Sequence, residues 1–287
     1  MVMLFNTLVI GLIMGGIYAL IAMGLSLQYG VARILNISHG EFIMIGACLT
    51  WSLSTAGVHP VIAAAICCPF TLMVGFLLHR FLYERMKRIA PVAAVFEGNA
   101  MLLAFGIMFI LQNGATRVWG SEAMAYMFLA RPIIIGESFF ALNRLFVFSL
   151  AIVVIILFYL FLTTTRLGKA IRASAQDSVA ASLMGVNIKT VMALCFGIGA
   201  MLAGIAGSML SMIEPARTTM GMGYSIIALI VVVLGGLGSI PGSLVGGLIL
   251  GIVGTYVQTI EPSLMIAAFY AIIMVILLVR PQGLFRR

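Results

Sequence analysis

Three polar residues that could do chemistry lie close together in the run Asn36-Ile-Ser-His39-Gly40-Glu41. His39 and Glu41 are the residue types of a proton relay or of a pair of metal ligands. Two ligands without a third argue against a metal site. The run lies at the mouth of an apolar segment, where polar groups are costly and face protein or a water-filled path. Two interpretations therefore stay open: hydrogen bonding that shapes a helix break, and a role in gating.

A second stretch, Gly235-Gly236-Leu-Gly238-Ser239-Ile-Pro241-Gly242, superficially resembles a phosphate-binding loop. Such a loop ends in Gly-Lys-Ser/Thr, and no lysine occurs near it, so the stretch does not predict nucleotide binding. Glycines and a proline in apolar surroundings indicate an unwound helix break, which is tolerated only where protein or a cavity covers the backbone. Both His39-Gly40 and Pro241-Gly242 precede an apolar segment, so we expect two related breaks that face one pathway.

A polar segment, residues 163–190, separates two apolar runs in the second half of the chain. Its cations place it on the cytoplasmic side by the positive-inside rule. They are Arg166, Lys169, Arg172 and Lys189. Asp177 or Ser178 can cap a short helix, and Gly185 marks its end. The alternative to a structured loop is a solvated connector with snorkelling cations.

Composition defines the class of protein in which these residues act. Of the 287 residues, 63% are hydrophobic and 8% are charged, whereas about a quarter of a soluble domain is charged. The chain is therefore predicted to be an all-α, polytopic integral membrane protein. The net charge of +8 comes from cations in short loops, so it reports orientation and does not indicate nucleic-acid binding. Four cysteines in apolar runs, Cys48, Cys67, Cys68 and Cys195, are expected to be buried free thiols.

The apolar segments predict about 8–10 transmembrane helices in a single domain, residues 1–287. Several are short or broken and rich in glycine, which is typical of packed or discontinuous helices. The predicted spans are 5–27, 42–54 with an extension back to Ile37, 61–83, 100–116, 145–162, 191–213, 224–234, 244–258 and 264–279.

The distribution of cations predicts the orientation of these spans. Most of the 16 cations fall on one side, which should be cytoplasmic. They are Arg80, Arg85, Lys87, Arg88, Arg166, Lys169, Arg172, Lys189, Arg280, Arg286 and Arg287. Four lie on the other side, namely Arg117, Arg131, Arg144 and Arg217, and Arg33 is not assigned. Nine spans would place the N-terminus outside and the C-terminus inside.

The longest external loop, 118–143, mixes aromatic and charged residues. These are Trp119, Tyr126, Phe128, Phe139, Phe140, Glu122, Arg131 and Glu137. Aromatic side chains in such a loop either anchor the protein at the membrane interface or form a docking platform for another protein.

These motifs, in this order, resemble those of branched-chain amino acid ABC-transporter permeases over nearly the whole chain. They are Gly15-Gly16-Ile-Tyr18-Ala-Leu20, the two glycine-containing breaks, the run from Gly168 to Gly185, and Arg280-Pro-Gln-Gly-Leu284. The resemblance implies that 163–190 is a coupling loop that docks into a groove of an ATPase. The residues assigned to coupling are Arg166, Gly168, Lys169, Arg172, Ala173, Asp177 and Gly185, and those assigned to the translocation path or its helix breaks are Asn36, His39, Gly40, Glu41, Gly235, Gly236, Gly238, Ser239 and Gly242.

The resemblance also implies the assembly and its location. The chain would sit in the bacterial inner membrane with a homologous second permease, two cytoplasmic ATP-binding subunits and a periplasmic substrate-binding protein. The chain has no ATP-binding motif, so it is predicted not to be an enzyme, and neither cofactor, metal nor catalytic residue is expected. The solute would be leucine, isoleucine or valine. The alternatives are the same machinery carrying urea, short amides, sugars or another small polar solute, and an ion-coupled secondary transporter, which would need intramembrane carboxylates.

Overall fold

The computed structural model describes residues 2–135, 138–280 and 282–285. Four positions singled out in the sequence lie outside these residues: Glu137 of the external loop, Pro281 of the C-terminal motif, and the terminal cations Arg286 and Arg287.

The described chain is helical almost throughout, as the apolar pattern predicts. The helices are α1 (Val2–Ala32), α2 (His39–Thr55), α3 (Pro60–Leu78), α4 (Glu84–Ile89), α5 (Ala93–Trp119), α6 (Leu142–Thr164), α7 (Arg166–Gln176), α8 (Ser178–Leu183), α9 (Ile188–Ser211), α10 (Met220–Gly235), α11 (Ile240–Ile260) and α12 (Met265–Val279). A π-helical turn, His79–Tyr83, joins α3 to α4, and a 3-10 turn, Pro262–Leu264, precedes α12.

Seven helical segments in the described chain are long and apolar enough to cross a membrane. α10, of 16 residues, is a shorter apolar helix, and the predicted segment 42–54 forms α2, of 17 residues. The polytopic all-α class is therefore confirmed. One feature was not predicted: the external loop contains a small antiparallel hairpin, in which β1 (Pro132–Ile135) pairs with β2 (Ser138–Ala141).

Small residues allow α1 to pack closely at the centre of the bundle. On one side, a Cβ added to Gly15 would lie 2.9 Å from Leu248 Cα in α11. On another side, a Cβ added to Gly24 would lie 2.8 Å from Gly199 O in α9. Backbones that approach so closely give helices in lipid the van der Waals contact that holds them together. These contacts make α1, α9 and α11 the frame that positions the helix breaks.

The loops fall into two groups at opposite ends of the bundle. At one end, Trp119 at the end of α5 donates a hydrogen bond to Ser52 Oγ in α2 (2.7 Å). At the other end, Glu84 accepts from Arg80 and Arg88 at 3.0 and 2.8 Å, and Lys189 at the start of α9 lies 3.8 Å away. The second end holds the cations that the sequence predicts to be cytoplasmic. Arg33, which the sequence left unassigned, lines a cavity at this end together with Lys87.

The loop 118–143, predicted to be external, is tied to the bundle by backbone and side-chain hydrogen bonds. Met124 and Ala216 form an antiparallel bridge with two bonds of 2.8 Å. The hydroxyls of Tyr126 and Ser211 lie 3.2 Å apart, and Asn143 donates to Met212 O at 2.9 Å. The loop is thus built onto the α9–α10 connection.

Candidate translocation core and coupling segment

A chain of buried hydrogen bonds holds the first helix break, residues 33–38, inside the bundle. Ser38 Oγ donates to Asn36 Oδ1 at 2.6 Å, and Asn36 Nδ2 donates to Gln28 Oε1 at 3.2 Å. Gln28 Nε2 then donates to Phe196 O of α9 at 3.0 Å. All three polar side chains are fully buried, where an unpaired polar group would be costly. Asn36 therefore shapes the break, as one of the two sequence-based interpretations predicts.

The break carries the chain from the end of α1 back into the bundle before α2 begins. His39 Nε2 lies 3.1 Å from Ile21 O. Ile21 precedes the last residue of α1 by eleven positions, which is about 16 Å along a helix axis. The N-terminus of α2 is thus located well inside the bundle, as expected of a discontinuous membrane helix whose irregular backbone is covered by protein.

The first turn of α2 packs against the first turns of α10 at this depth. Gly40 N donates to Ser225 Oγ at 2.8 Å, and Ser225 Oγ donates to Ile37 O at 2.6 Å. A Cβ on Gly40 would overlap Gly221 O, so only glycine permits this approach. The sequence predicted that His39 and Gly40 precede the apolar helix. In the structure they instead form part of the first turn of α2.

Glu41 is the buried acid at this junction. The side chain lies in the first turn of α2, at the start of the apolar segment as the sequence predicts, and it is fully buried within the bundle. Neither carboxylate oxygen has a hydrogen-bond partner within the described residues. The group lies in the first turn of α2 and against Gly221 in the first turn of α10. Helix N-termini carry partial positive charge, so two of them favour a negative group here.

The second break, residues 236–239, lies between α10 and α11. Gly236 and Gly238 have φ values of 100° and 82°, in the left-handed region that favours glycine. Ser239 caps α11 by accepting from Gly242 N at 3.1 Å. The unwound stretch is shorter than predicted, because Gly235 ends α10 and Gly242 lies within α11.

Close contacts connect this second break to the rest of the bundle. A Cβ on Gly238 would lie 3.2 Å from Gly30 Cα near the end of α1. Gly242 approaches Gly235 so closely that a Cβ would overlap its carbonyl oxygen. The C-terminal segment closes the end of α10, because Leu284 N donates to Leu234 O at 2.9 Å and Phe285 N donates to Gly235 O at 3.2 Å. The second break thus lies near the end of α1, whereas the first runs from Arg33, beside Lys87 at the cation-rich end, to the start of α2 inside the bundle.

The predicted coupling segment forms two short helices, α7 and α8. Thr165 caps α7 by accepting from Gly168 N at 3.0 Å. A Cβ on Gly168 would lie 2.5 Å from Leu162 O, so Gly168 allows α7 to pack on the end of α6. Arg172 folds back and donates to Thr163 O at 3.2 Å. Arg166, Lys169 and Ala173 are exposed.

Asp177 begins α8 as the sequence predicts. Its Oδ1 accepts from Val179 N at 2.8 Å and from Ala180 N at 3.0 Å, which satisfies two donors of the first turn. The helix ends at Leu183, and Gly185 follows with a φ of 85°. The predicted cap at Asp177 and the predicted helix end near Gly185 are therefore both confirmed.

Several residues of the core were missed in the sequence analysis. They are Gln28, Thr50, Ser208, Gly221 and Ser225. Each lies within a helix and has a partner across the bundle, as Thr50 Oγ1 does in donating to Ser208 Oγ at 2.8 Å. A polar residue in an apolar run is the one signal that could have pointed to them, because such residues face protein or a cavity.

The discontinuous helices, the buried polar core and the apolar exterior define an integral membrane protein that crosses the membrane several times. Residues 7–279 match the family of the branched-chain amino acid transport system permease component. The chain belongs to this family.

Named relatives cover almost the full chain. It is 30% identical to the high-affinity branched-chain amino acid transport system permease protein BraD of Pseudomonas aeruginosa, over 98% of this chain and 95% of the relative. It is 31% identical to LivH of Escherichia coli, a protein of the same description, over 96% and 94%. A probable branched-chain amino acid transport permease of Methanocaldococcus jannaschii is 25% identical over 84% and 77%. No solved structure matches the chain.

Proposed function

We propose that the chain is the membrane-spanning permease subunit of an ATP-driven importer for leucine, isoleucine and valine. It would pair with a homologous second permease and with two cytoplasmic ATP-binding subunits. A periplasmic binding protein would deliver the solute to the end that carries the loop 118–143. The chain itself is a transport subunit and no enzyme, so hydrolysis would take place on the partners.

The observation that carries this proposal is an exposed apolar surface on α8, in an otherwise polar segment. Val179, Leu183 and Met184 are 67%, 83% and 86% exposed. They lie at the cation-rich end, between α7 and the start of α9, outside the apolar spans. Contiguous exposed apolar residues outside a membrane indicate a surface that another protein covers. A secondary transporter or channel has no need of such a surface.

A charge placed on this surface tests the coupling. Leu183→Glu removes no buried contact, because the side chain is exposed, so the protein should still insert into the membrane. The co-expressed ATP-binding subunits should no longer co-purify, and solute-stimulated hydrolysis and uptake should fail together. Met127→Glu is the matched control for co-purification, since Met127 is 93% exposed but lies in the loop 118–143, away from α8. Full assembly and uptake by Leu183→Glu would overturn the docking proposal.

Arg172 and Ala173 supply a second test of the same segment. Arg172 donates a hydrogen bond to Thr163 O, and it would give up this bond in order to pair with an acidic group of the ATPase. Arg172→Glu and Ala173→Trp should then weaken the assembly while insertion stays normal. If both variants assemble and transport normally, α7 is a solvated connector, and docking is confined to α8.

The solute requires its own measurement. The complete assembly, reconstituted in proteoliposomes with its binding protein and ATP, should accumulate labelled leucine, isoleucine and valine. Unlabelled urea and ribose should not compete. Competition by either, without uptake of leucine, would favour the same machinery with another small polar solute.

Glu41 favours a second candidate, an ion-coupled secondary transporter. Such a transporter needs a carboxylate within the membrane, and Glu41 is fully buried there. Uptake that persists without ATP-binding subunits and collapses with a protonophore would support it. We expect the opposite result, because no second buried acid lies beside Glu41 in the described chain.

A further inference from the structure

We infer that a cavity at the cation-rich end of the bundle binds a zwitterionic amino acid with an apolar side chain. The cavity has a volume of about 400 Å³ and lies between the end of α1, the α4–α5 connection and the C-terminal half of α7. Sites for small molecules have volumes of this order. The inference rests on the proposed function for the identity of the amino acid, but the site is separate from the helix junction at Glu41.

Two cations line the cavity without a carboxylate partner. Neither Arg33 nor Lys87 forms an ion pair within the described residues. Lys87 Nζ lies 3.6 Å from Met192 Sδ and 6.0 Å from the centre of the Phe96 ring. The Arg33 guanidinium lies 5.8 Å from the centre of the Tyr29 ring. Both cations are therefore positioned by weak contacts and are available to a carboxylate of a ligand.

The cavity also contains an acidic side chain, that of Glu97. Glu97 approaches neither Arg33 nor Lys87 within 4.0 Å, so opposite charges share the cavity without forming an ion pair. A simple anion would be repelled by Glu97, and a simple cation would be repelled by the two basic groups. A zwitterion places a counter-charge opposite each of them, with its carboxylate at the cations and its ammonium at Glu97.

The rest of the lining is suited to an apolar side chain. Val92, which is 59% exposed, lines the cavity beside the almost completely buried Val31, Phe96 and Met192. A branched aliphatic side chain packed against them would leave water, which favours binding. The polar side chains of Ser174 and Gln176 form the wall on the α7 side.

The backbone at Arg33 is consistent with a site whose geometry is fixed. Its φ is 55°, which is uncommon for a residue other than glycine. The conformation is held by the hydrogen bond from Arg33 N to Tyr29 O at 3.0 Å. This left-handed residue directly after Ala32 ends α1 and fixes the point at which the Arg33 side chain leaves the helix.

Photo-labelling of the full-length permease in nanodiscs tests the site directly. A diazirine analogue of leucine should label peptides that contain residues 87–97 and 174–178, and excess leucine should abolish the labelling. Neither 3-methylbutylamine, which lacks the carboxylate, nor 4-methylpentanoate, which lacks the ammonium, should displace the probe. Labelling at other peptides only, or equal displacement by either single-charge analogue, would overturn the inference.

Charge-removing variants locate the binding groups. Lys87→Met and Glu97→Gln should each lower labelling of these peptides at least tenfold, whereas Lys87→Arg should retain it. Arg85→Met is the matched control, because Arg85 is an exposed cation on the same helix that does not line this cavity. Unchanged labelling in Lys87→Met and Glu97→Gln would overturn the inference.

Uptake of leucine and labelling of the cavity separate the proposed function from the cavity site. Uptake of leucine by the assembled transporter, without labelling of the cavity, would overturn the inference and leave the proposed function intact. An assembled transporter that takes up no leucine would instead contradict the proposed function.

Discussion

The carboxylate of Glu41 lies directly against the backbone of Gly221, so that a Cβ added to Gly221 would sit 2.6 Å from Glu41 Oε2. Glu41 belongs to the first turn of α2 and Gly221 to the first turn of α10. The contact joins two helix N-termini inside the bundle, at the place where we expect the translocation path to be controlled.

Gly221→Ala should reduce transport strongly, because the added methyl group meets a carboxylate that is enclosed by two helices. We expect normal insertion, since the substitution keeps the helix, and a loss of uptake of at least tenfold. Gly223→Ala is the control, because a Cβ at Gly223 meets no atom within 4 Å. Normal uptake in Gly221→Ala would show that the junction adjusts freely and that its tight packing has no role in transport.

The break between α10 and α11 should tolerate no side chain. Gly238→Val would place a β-branched residue at a φ of 82°, and Gly242→Val would overlap Gly235. Both variants should insert and fail to transport. Gly114→Val in α5, where a Cβ meets nothing within 4 Å, should transport normally. If Gly238→Val and Gly242→Val both support normal uptake, the glycines are only spacers.

Removing the amide of Asn36 should destabilise the protein. Asn36→Ala leaves the buried Ser38 hydroxyl and Gln28 carbonyl without partners, which costs about 1–3 kcal/mol of unfolding free energy. The melting temperature in detergent should therefore fall. Asn113→Ala is the comparison, because Asn113 is exposed and bonds only within its own helix. Equal melting temperatures for the two variants would mean that water replaces the lost partners.

The cap of α8 should matter for coupling and leave the fold intact. Asp177→Ala removes two capping bonds, which costs about 1 kcal/mol and frays a six-residue helix. Co-purification of the ATP-binding subunits should weaken, while the melting temperature of the permease stays unchanged. Asp177→Asn retains a capping side chain and should assemble almost normally. A defect of equal size in both variants would point to the charge of Asp177 and not to its cap.

The orientation can be tested with cysteines in a background that lacks Cys48, Cys67, Cys68 and Cys195. We expect Lys87→Cys and Lys169→Cys to resist an impermeant thiol reagent added outside whole cells. Met127→Cys, in the external loop, should react. Strong external labelling at Lys87→Cys and Lys169→Cys would reverse the topology.

Local features of this chain could be predicted from the sequence because they depend on neighbours along the chain. The apolar runs predicted the seven helical segments that are long enough to cross a membrane, since a span needs only enough consecutive apolar residues. Asp177 or Ser178 was identified as a cap, and Gly185 as the end of the helix, because capping acts within one helical turn. The breaks near Asn36 and Gly238 were visible as polar or glycine-rich interruptions.

The depth of each break, and the partners of its residues, were decided only by the tertiary structure. The sequence placed Glu41 at the start of an apolar segment, and only the return of residues 33–38 into the bundle shows that it is buried against Gly221 of a distant helix. Gln28 and Ser225 were missed because their partners, Phe196 and Gly40, are more than 150 positions away. Periodicity reports which face of a helix is apolar. It does not report which helix meets that face, because in a membrane protein the apolar surface toward lipid and that toward protein are alike, and close packing of small residues makes the choice.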